Sequence, residues 1–237
     1  MKIFAIVFSI VMSVCFAAVC AIELWYQYGL WSLASYAAII LALPLSSLLH
    51  ELGHMLFGAI VNIKAVPKFS LFGSSSCKII PQTDKNLRFK VGFTAVGGLV
   101  VNFLFAILGL IPLFVSAVPM CLCIFLPAST YLFLMNVYAV EFTSGKTDGL
   151  VVYELIENGA EAKVLLSVLT VQAQVLNGKP IEEVDEKLLF DLPQIREDDP
   201  AFISLAELRY EYFEAKGEEK KAEVWKTRFE ELKKEYA

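Results

Sequence analysis

The sequence predicts an all-α membrane protein with about four transmembrane helices, a small cytoplasmic β-hairpin loop and a C-terminal helical soluble tail. Three observations predict it. Of 237 residues, 57% are hydrophobic and the mean hydropathy is +0.61, above the range of ordinary soluble domains. Charge is divided unevenly: residues 1–150 carry eight Lys/Arg and five Asp/Glu, leaving twelve and twenty for residues 151–237. Apolar runs of about 20 residues, enough to cross the hydrocarbon, recur through the first part. The net charge of −5 is therefore the sum of about +3 in the first part and −8 in the tail, so the acidity belongs to the tail. The chain reads as a membrane core over 1–149 and an acidic helical tail over 150–237, and no basic stripe suggests nucleic acid as a partner.

The first span runs from Ile3 to Ile22 without a charge. It exceeds a signal-peptide core and more spans follow, so an uncleaved helix is expected. The second runs from Trp31 to about Ile60, with Pro44 expected to kink it. The third covers about Val91 to Val118 and the fourth Pro119 to Val140, joined as a tight hairpin.

Residues 61–90 hold Lys64, Lys68, Lys78, Lys85, Arg88 and Lys90 against Asp84 alone. The positive-inside rule puts this loop in the cytoplasm, with the N- and C-termini on the same side. Two β-prone runs, Lys64–Phe72 and Cys77–Ile80, flank Gly73-Ser74-Ser75-Ser76 and predict a hairpin. An edge strand there would suit an extended peptide, and a plain solvated connector is the alternative.

The chemistry centres on His50-Glu51-Leu52-Gly53-His54, which contains both histidines of the chain. On a helix, positions i and i+4 share a face. Two imidazoles there can grip one Zn2+, with Glu51 beside a bound water. A third ligand is needed, and Glu141, Asp148, Glu154 and Glu157 are candidates. Asp148 stands in Thr147-Asp148-Gly149, where glycine lets a carboxylate turn toward the membrane. Its alternative role is a cap for a helix starting near Leu150. The five cysteines form neither a zinc pattern nor an implied disulfide framework.

These residues resemble the site-2-protease family of intramembrane zinc metalloproteases, over about residues 35–150. His50-Glu51-Leu52-Gly53-His54 matches its H-E-x-x-H. Gly98-Leu99-Val100-Val101-Asn102 is similar to its glycine-x-x-x-asparagine segment. Asn136 followed by Asp148-Gly149 looks like its final Asn-x-x-Pro…Leu-Asp-Gly element. Leu99 and Ala139 stand where prolines are usual, and Thr147 replaces a leucine. The resemblance implies metal ligation by His50, His54 and Asp148, Glu51 as general base, and Asn102 as a hydrogen-bond donor to substrate backbone or oxyanion. An interhelical hydrogen bond is the alternative for Asn102.

The implied function is hydrolysis of a membrane peptide or single-span protein near the cytoplasmic face, by a compact multi-pass member in a bacterial plasma membrane. The lipid bilayer is then a partner as well as a solvent. Other readings are a catalytically inactive relative that binds transmembrane segments, and an H-E-x-x-H membrane protease of another family with a downstream glutamate as ligand. A metal transporter would need ligands repeated on other spans.

In the tail, residues 150–177 predict helix with a break at Glu157-Asn158-Gly159. Pro200–Ala215 and Glu218–Tyr236 predict a helical hairpin. Leu205, Leu208 and Tyr212 are expected to pack against Val224, Phe229 and Leu232. This hairpin either binds a protein partner or caps the membrane core.

Overall fold

The computed structural model describes residues 2–68, 76–142 and 145–236. In order the elements are α1 (Lys2–Tyr28), a 3-10 turn (Gly29–Trp31), α2 (Ser32–Ile60), β1 (Ile63–Lys68), β2 (Ser76–Pro81) and α3 (Leu87–Leu110). Two 3-10 turns (Ile111–Leu113, Met120–Ile124) lead to α4 (Phe125–Val137), β3 (Glu141–Phe142), β4 (Gly145–Lys146) and α5 (Asp148–Glu157). The tail adds α6 (Ala160–Leu176), a 3-10 turn (Ile181–Glu183), α7 (Lys187–Phe190), α8 (Pro200–Ala215) and α9 (Glu219–Tyr236). The fold is thus mainly helical, with β1 paired to β2 and β3 antiparallel to β4. The Gly73-Ser74-Ser75 turn expected between β1 and β2 lies outside the described residues.

Contacts divide the chain into two compact units, with boundaries inside β1, β2, α3 and α5. The first contains α1, α2, most of α3, α4, the β3–β4 hairpin and the start of α5. Three segments among the described residues are long and apolar enough to cross a membrane: Lys2–Ile60, Leu87–Leu113 and Met120–Val137. A straight helix over the first, at 59 residues, would be about 88 Å long, nearly three hydrocarbon thicknesses. It folds back instead. Gly29 takes the left-handed conformation (φ 54°) at the turn, which costs glycine little. The Tyr36 hydroxyl then donates to the Ala21 carbonyl at 3.0 Å, tying α2 to α1.

Polar contacts and small residues set the packing of this unit. Ser13 donates to the Pro127 carbonyl (2.9 Å), and the Ser46 and Ser129 hydroxyls meet at 3.1 Å, so α4 touches both α1 and α2. At the α2–α3 crossing a Cβ on Gly53 would lie 2.5 Å from the Gly97 carbonyl oxygen. Any side chain there would force the helices apart. Phe4, Trp31 and Ile40 stay exposed, a pattern that suits lipid contact and not water.

The first helix continues past Ile22 to Tyr28, because Glu23 is a good helix former and no breaker precedes Gly29. The third stops earlier than expected, at Leu110, where Pro112 enters a 3-10 turn. Pro44 lies inside α2.

In the second unit Arg88 donates to the Leu155 and Ile156 carbonyls at 2.6 and 2.7 Å, closing the C-terminal end of α5. Asn158 (φ 57°) makes the break before α6. Val164, Val168 and Val171 of α6 pack with Leu205, Leu208 and Tyr212 of α8. Arg209 lies over the Trp225 ring (4.5 Å to its centroid) and donates to the Leu189 carbonyl (2.7 Å). From α9, Ala222 and Trp225 make the contacts, and Leu232 is buried. Val224, expected to pack, is 66% exposed because it falls on the opposite face from Ala222.

Candidate metal centre

Three elements of the first unit bring the site together. α2 supplies His50 and His54 one turn apart, as the spacing predicts. Their rings stand at 89° with centroids 4.7 Å apart, and their Nε2 atoms approach to 3.1 Å. From α5, Asp148 places Oδ2 3.1 Å from His50 Nε2 and Oδ1 3.4 Å from His54 Nε2. One atom from each residue lies within 4.8 Å of the others, so the group could hold a metal ion. Among the described residues no other such group of three occurs, and Glu141, Glu154 and Glu157 are not in this one. Glu141 instead sits in β3 opposite Lys146.

α3 supplies the support. His54 Nδ1 lies 2.9 Å from the Thr94 carbonyl oxygen. A carbonyl only accepts, so Nδ1 carries a proton and the neutral ring keeps its lone pair on Nε2. His50 Nδ1 contacts the amide of Asn102 at 2.9 Å. Asn102 is fully buried, so this amide points at the histidine and not at solvent. As placed, the amide nitrogen Nδ2 faces Nδ1 and donates to it; turning the amide over, an orientation equivalent in shape, would present its oxygen and let Nδ1 carry the proton. Behind the imidazoles lies Gly98. A Cβ there would sit 2.6–2.7 Å from ring atoms of both histidines, so only glycine leaves them in place.

Asp148 is held by its neighbours. The Thr147 hydroxyl donates to the Tyr138 carbonyl at 2.6 Å and accepts from the Leu150 amide at 3.3 Å. The Thr147 carbonyl accepts from Leu150 and Val151 at 3.0 and 3.1 Å. The cap of α5 is therefore Thr147, which leaves the Asp148 carboxylate free to face the histidines. Gly149 is in contact too close for a side chain: a Cβ would lie 2.2 Å from the Val137 carbonyl oxygen. Asn136 donates to the Leu132 carbonyl at 3.0 Å, within α4.

Electrostatics decide whether a cation suits this place. With protons on both Nδ1 atoms, which for His50 requires the turned Asn102 amide, two Nε2 lone pairs and a carboxylate oxygen would face each other across 3.1–3.4 Å. That is repulsive unless a positive charge lies among them. The edge of a tetrahedron with ligands at 2.0–2.1 Å is about 3.3 Å, which these separations match. Glu51 is 4% exposed, its Oε2 has no hydrogen-bond partner, and it lies within electrostatic reach of all three. Asp148 Oδ2 is likewise buried without a hydrogen-bond partner. Uncompensated buried carboxylates cost several kcal/mol each by a rough estimate. The donor set fits a metal ion.

Sequence reasoning missed Thr94, which acts through its backbone and leaves no signature. It also missed the anchoring by Thr147, although its threonine-aspartate-glycine setting was visible. Cys77 of β2 lies within electrostatic reach of Glu51 and Asp148. Burial first, then those two carboxylates, pushes its thiol up to about 12.

Comparison with known proteins gives no match: no protein-family model, curated protein or solved structure aligns with this chain.

Proposed function

We propose that the chain is an intramembrane zinc endopeptidase, acting on membrane-embedded or membrane-proximal peptides near the cytoplasmic face. The observation that carries the reading is the convergence of His50 Nε2, His54 Nε2 and the Asp148 carboxylate beside a buried Glu51 whose Oε2 has no hydrogen-bond partner. An all nitrogen and oxygen donor set with tetrahedral spacing suits zinc. Three protein ligands leave a fourth position for water or substrate.

Depth supports a membrane substrate. His54 and His50 lie six and ten residues before the end of α2, about 9 and 15 Å inside it along the axis. The basic loop begins just beyond. Counting α1 and α2 as separate crossings gives four spans, for which the positive-inside rule favours both termini on the cytoplasmic side. The H-E-x-x-H, glycine-asparagine and aspartate-glycine elements together favour the site-2-protease resemblance over a soluble-type metalloprotease.

Bound at these ligands, zinc supplies Lewis acidity toward water and the scissile carbonyl. Glu51 accepts the proton of the attacking water and delivers it to the leaving amine. Thr94 and Asn102 fix the two rings so that both Nε2 atoms stay aimed. Scission needs an extended peptide, and β2, whose Cys77 is electrostatically coupled to Glu51 and Asp148, is suited to pair with one.

The test is the membrane peptidome of cells carrying wild type or Glu51→Gln at equal abundance. Peptide fragments present with wild type and lost in the variant support the reading. Identical profiles, with both proteins folded and zinc-loaded, would sink it.

A further inference from the structure

We propose that Cys20 and Cys123 are a disulfide site, joining α1 to the turn that opens α4. The Cys20 thiol reaches the Cys123 carbonyl oxygen at 3.4 Å across 103 residues of sequence. Both residues are 0% exposed and share an apolar cluster with Leu24, Met120 and Leu126. Cys15 and Cys121, each a near neighbour in sequence, point outward. The chain therefore buries one cysteine from each region against the other.

The compartment suits the bond. Cys20 lies 18 residues beyond the start of α1, about 27 Å along the helix from the N-terminus. Cys123 follows Pro119 by four residues, in the charge-free turn between α3 and α4. Both sit at the end of the spans opposite the basic loop of residues 61–90. By the positive-inside rule that end faces away from the cytosol, where disulfides form and persist. This inference rests on that orientation and not on the peptidase reading.

In the reaction two thiols lose two protons and two electrons and one S–S bond forms. The acceptor is the disulfide of a thiol oxidoreductase, which leaves as a dithiol. Exchange precedes closure of the cluster, because the finished site admits no oxidant. A bond closing so long a loop removes much freedom from the unfolded chain.

The test uses the full-length Glu51→Gln protein, so that no catalytic property enters. Membranes are denatured without reductant and alkylated with N-ethylmaleimide, then reduced and alkylated with its deuterated form. Peptide masses assign the label at each cysteine. The expected result is heavy label on Cys20 and Cys123 and light label on Cys15, Cys77 and Cys121. In Cys20→Ser, Cys123 shifts to light label. Light label on Cys20 and Cys123 in the unsubstituted chain overturns the proposal, as does heavy label on Cys121 in place of Cys123.

Discussion

The Nδ1 atom of His54 lies 2.9 Å from the Thr94 carbonyl oxygen, so a backbone group of α3 chooses the tautomer of a candidate ligand on α2. His50 is held from the same helix by Asn102, again at 2.9 Å. The candidate metal centre is therefore as well ordered as the contact between α2 and α3. That contact depends on glycines and on one buried amide.

Asn102→Ala removes the partner of His50 Nδ1 while leaving all three ligands. Supporting residues of this kind change metal affinity about 10- to 100-fold. Competition against a chromophoric chelator should show weaker zinc binding in that range, with partial recovery in Asn102→Gln or Asn102→Asp. Unchanged affinity in Asn102→Ala would remove Asn102 from the centre.

Gly98→Ala puts a methyl group 2.6–2.7 Å from atoms of both imidazoles. Metal binding should fall further than in Asn102→Ala, while helix content by circular dichroism is retained. Gly149→Ala collides with the backbone of Val137 instead. It should lower both thermal stability and metal content, since Asp148 moves with it.

Cys77 should alkylate slowly at pH 8, because burial, Glu51 and Asp148 hold its thiol near 12. Glu51→Gln removes one of the two nearby negative charges, so the rate should rise at fixed pH. Mass spectrometry of maleimide-treated protein over time measures it. An equal rate in both proteins would place Cys77 beyond the influence of Glu51.

This site was partly legible in the sequence. His50 and His54 needed only helical spacing, and Asp148 stood out through the glycine beside it. The fixing of the histidines by Thr94 was not legible, because any residue can offer a carbonyl. Helix ends followed local chemistry: Gly29 and Pro112 marked real stops, whereas Glu23 did not. The α9 face was misjudged at Val224, since short runs of a charged helix allow several apolar stripes. Ala222 and Trp225 were chosen by packing into the core shared with α8, and Leu232 is buried as well.

In the tail, Glu186 accepts from Lys216 (2.7 Å) and from Tyr212 (2.5 Å), which holds its carboxyl below the ordinary value. A carboxylate with a depressed folded-state pKa adds stability above its unfolded value, near 4.5. That stability is lost as pH falls through the lower folded value. The melting temperature of the full chain's soluble transition should therefore drop on acidification below about pH 4.5, and Glu186→Gln should flatten this part of the slope. An identical slope in both proteins would contradict the assignment.

Zinc content per chain, measured by inductively coupled plasma mass spectrometry on wild type, Asp148→Ala and Glu141→Ala, tests the centre most directly. The proposed function predicts one zinc in wild type and in Glu141→Ala, and its loss in folded Asp148→Ala. Full zinc in Asp148→Ala together with loss in Glu141→Ala would contradict the account.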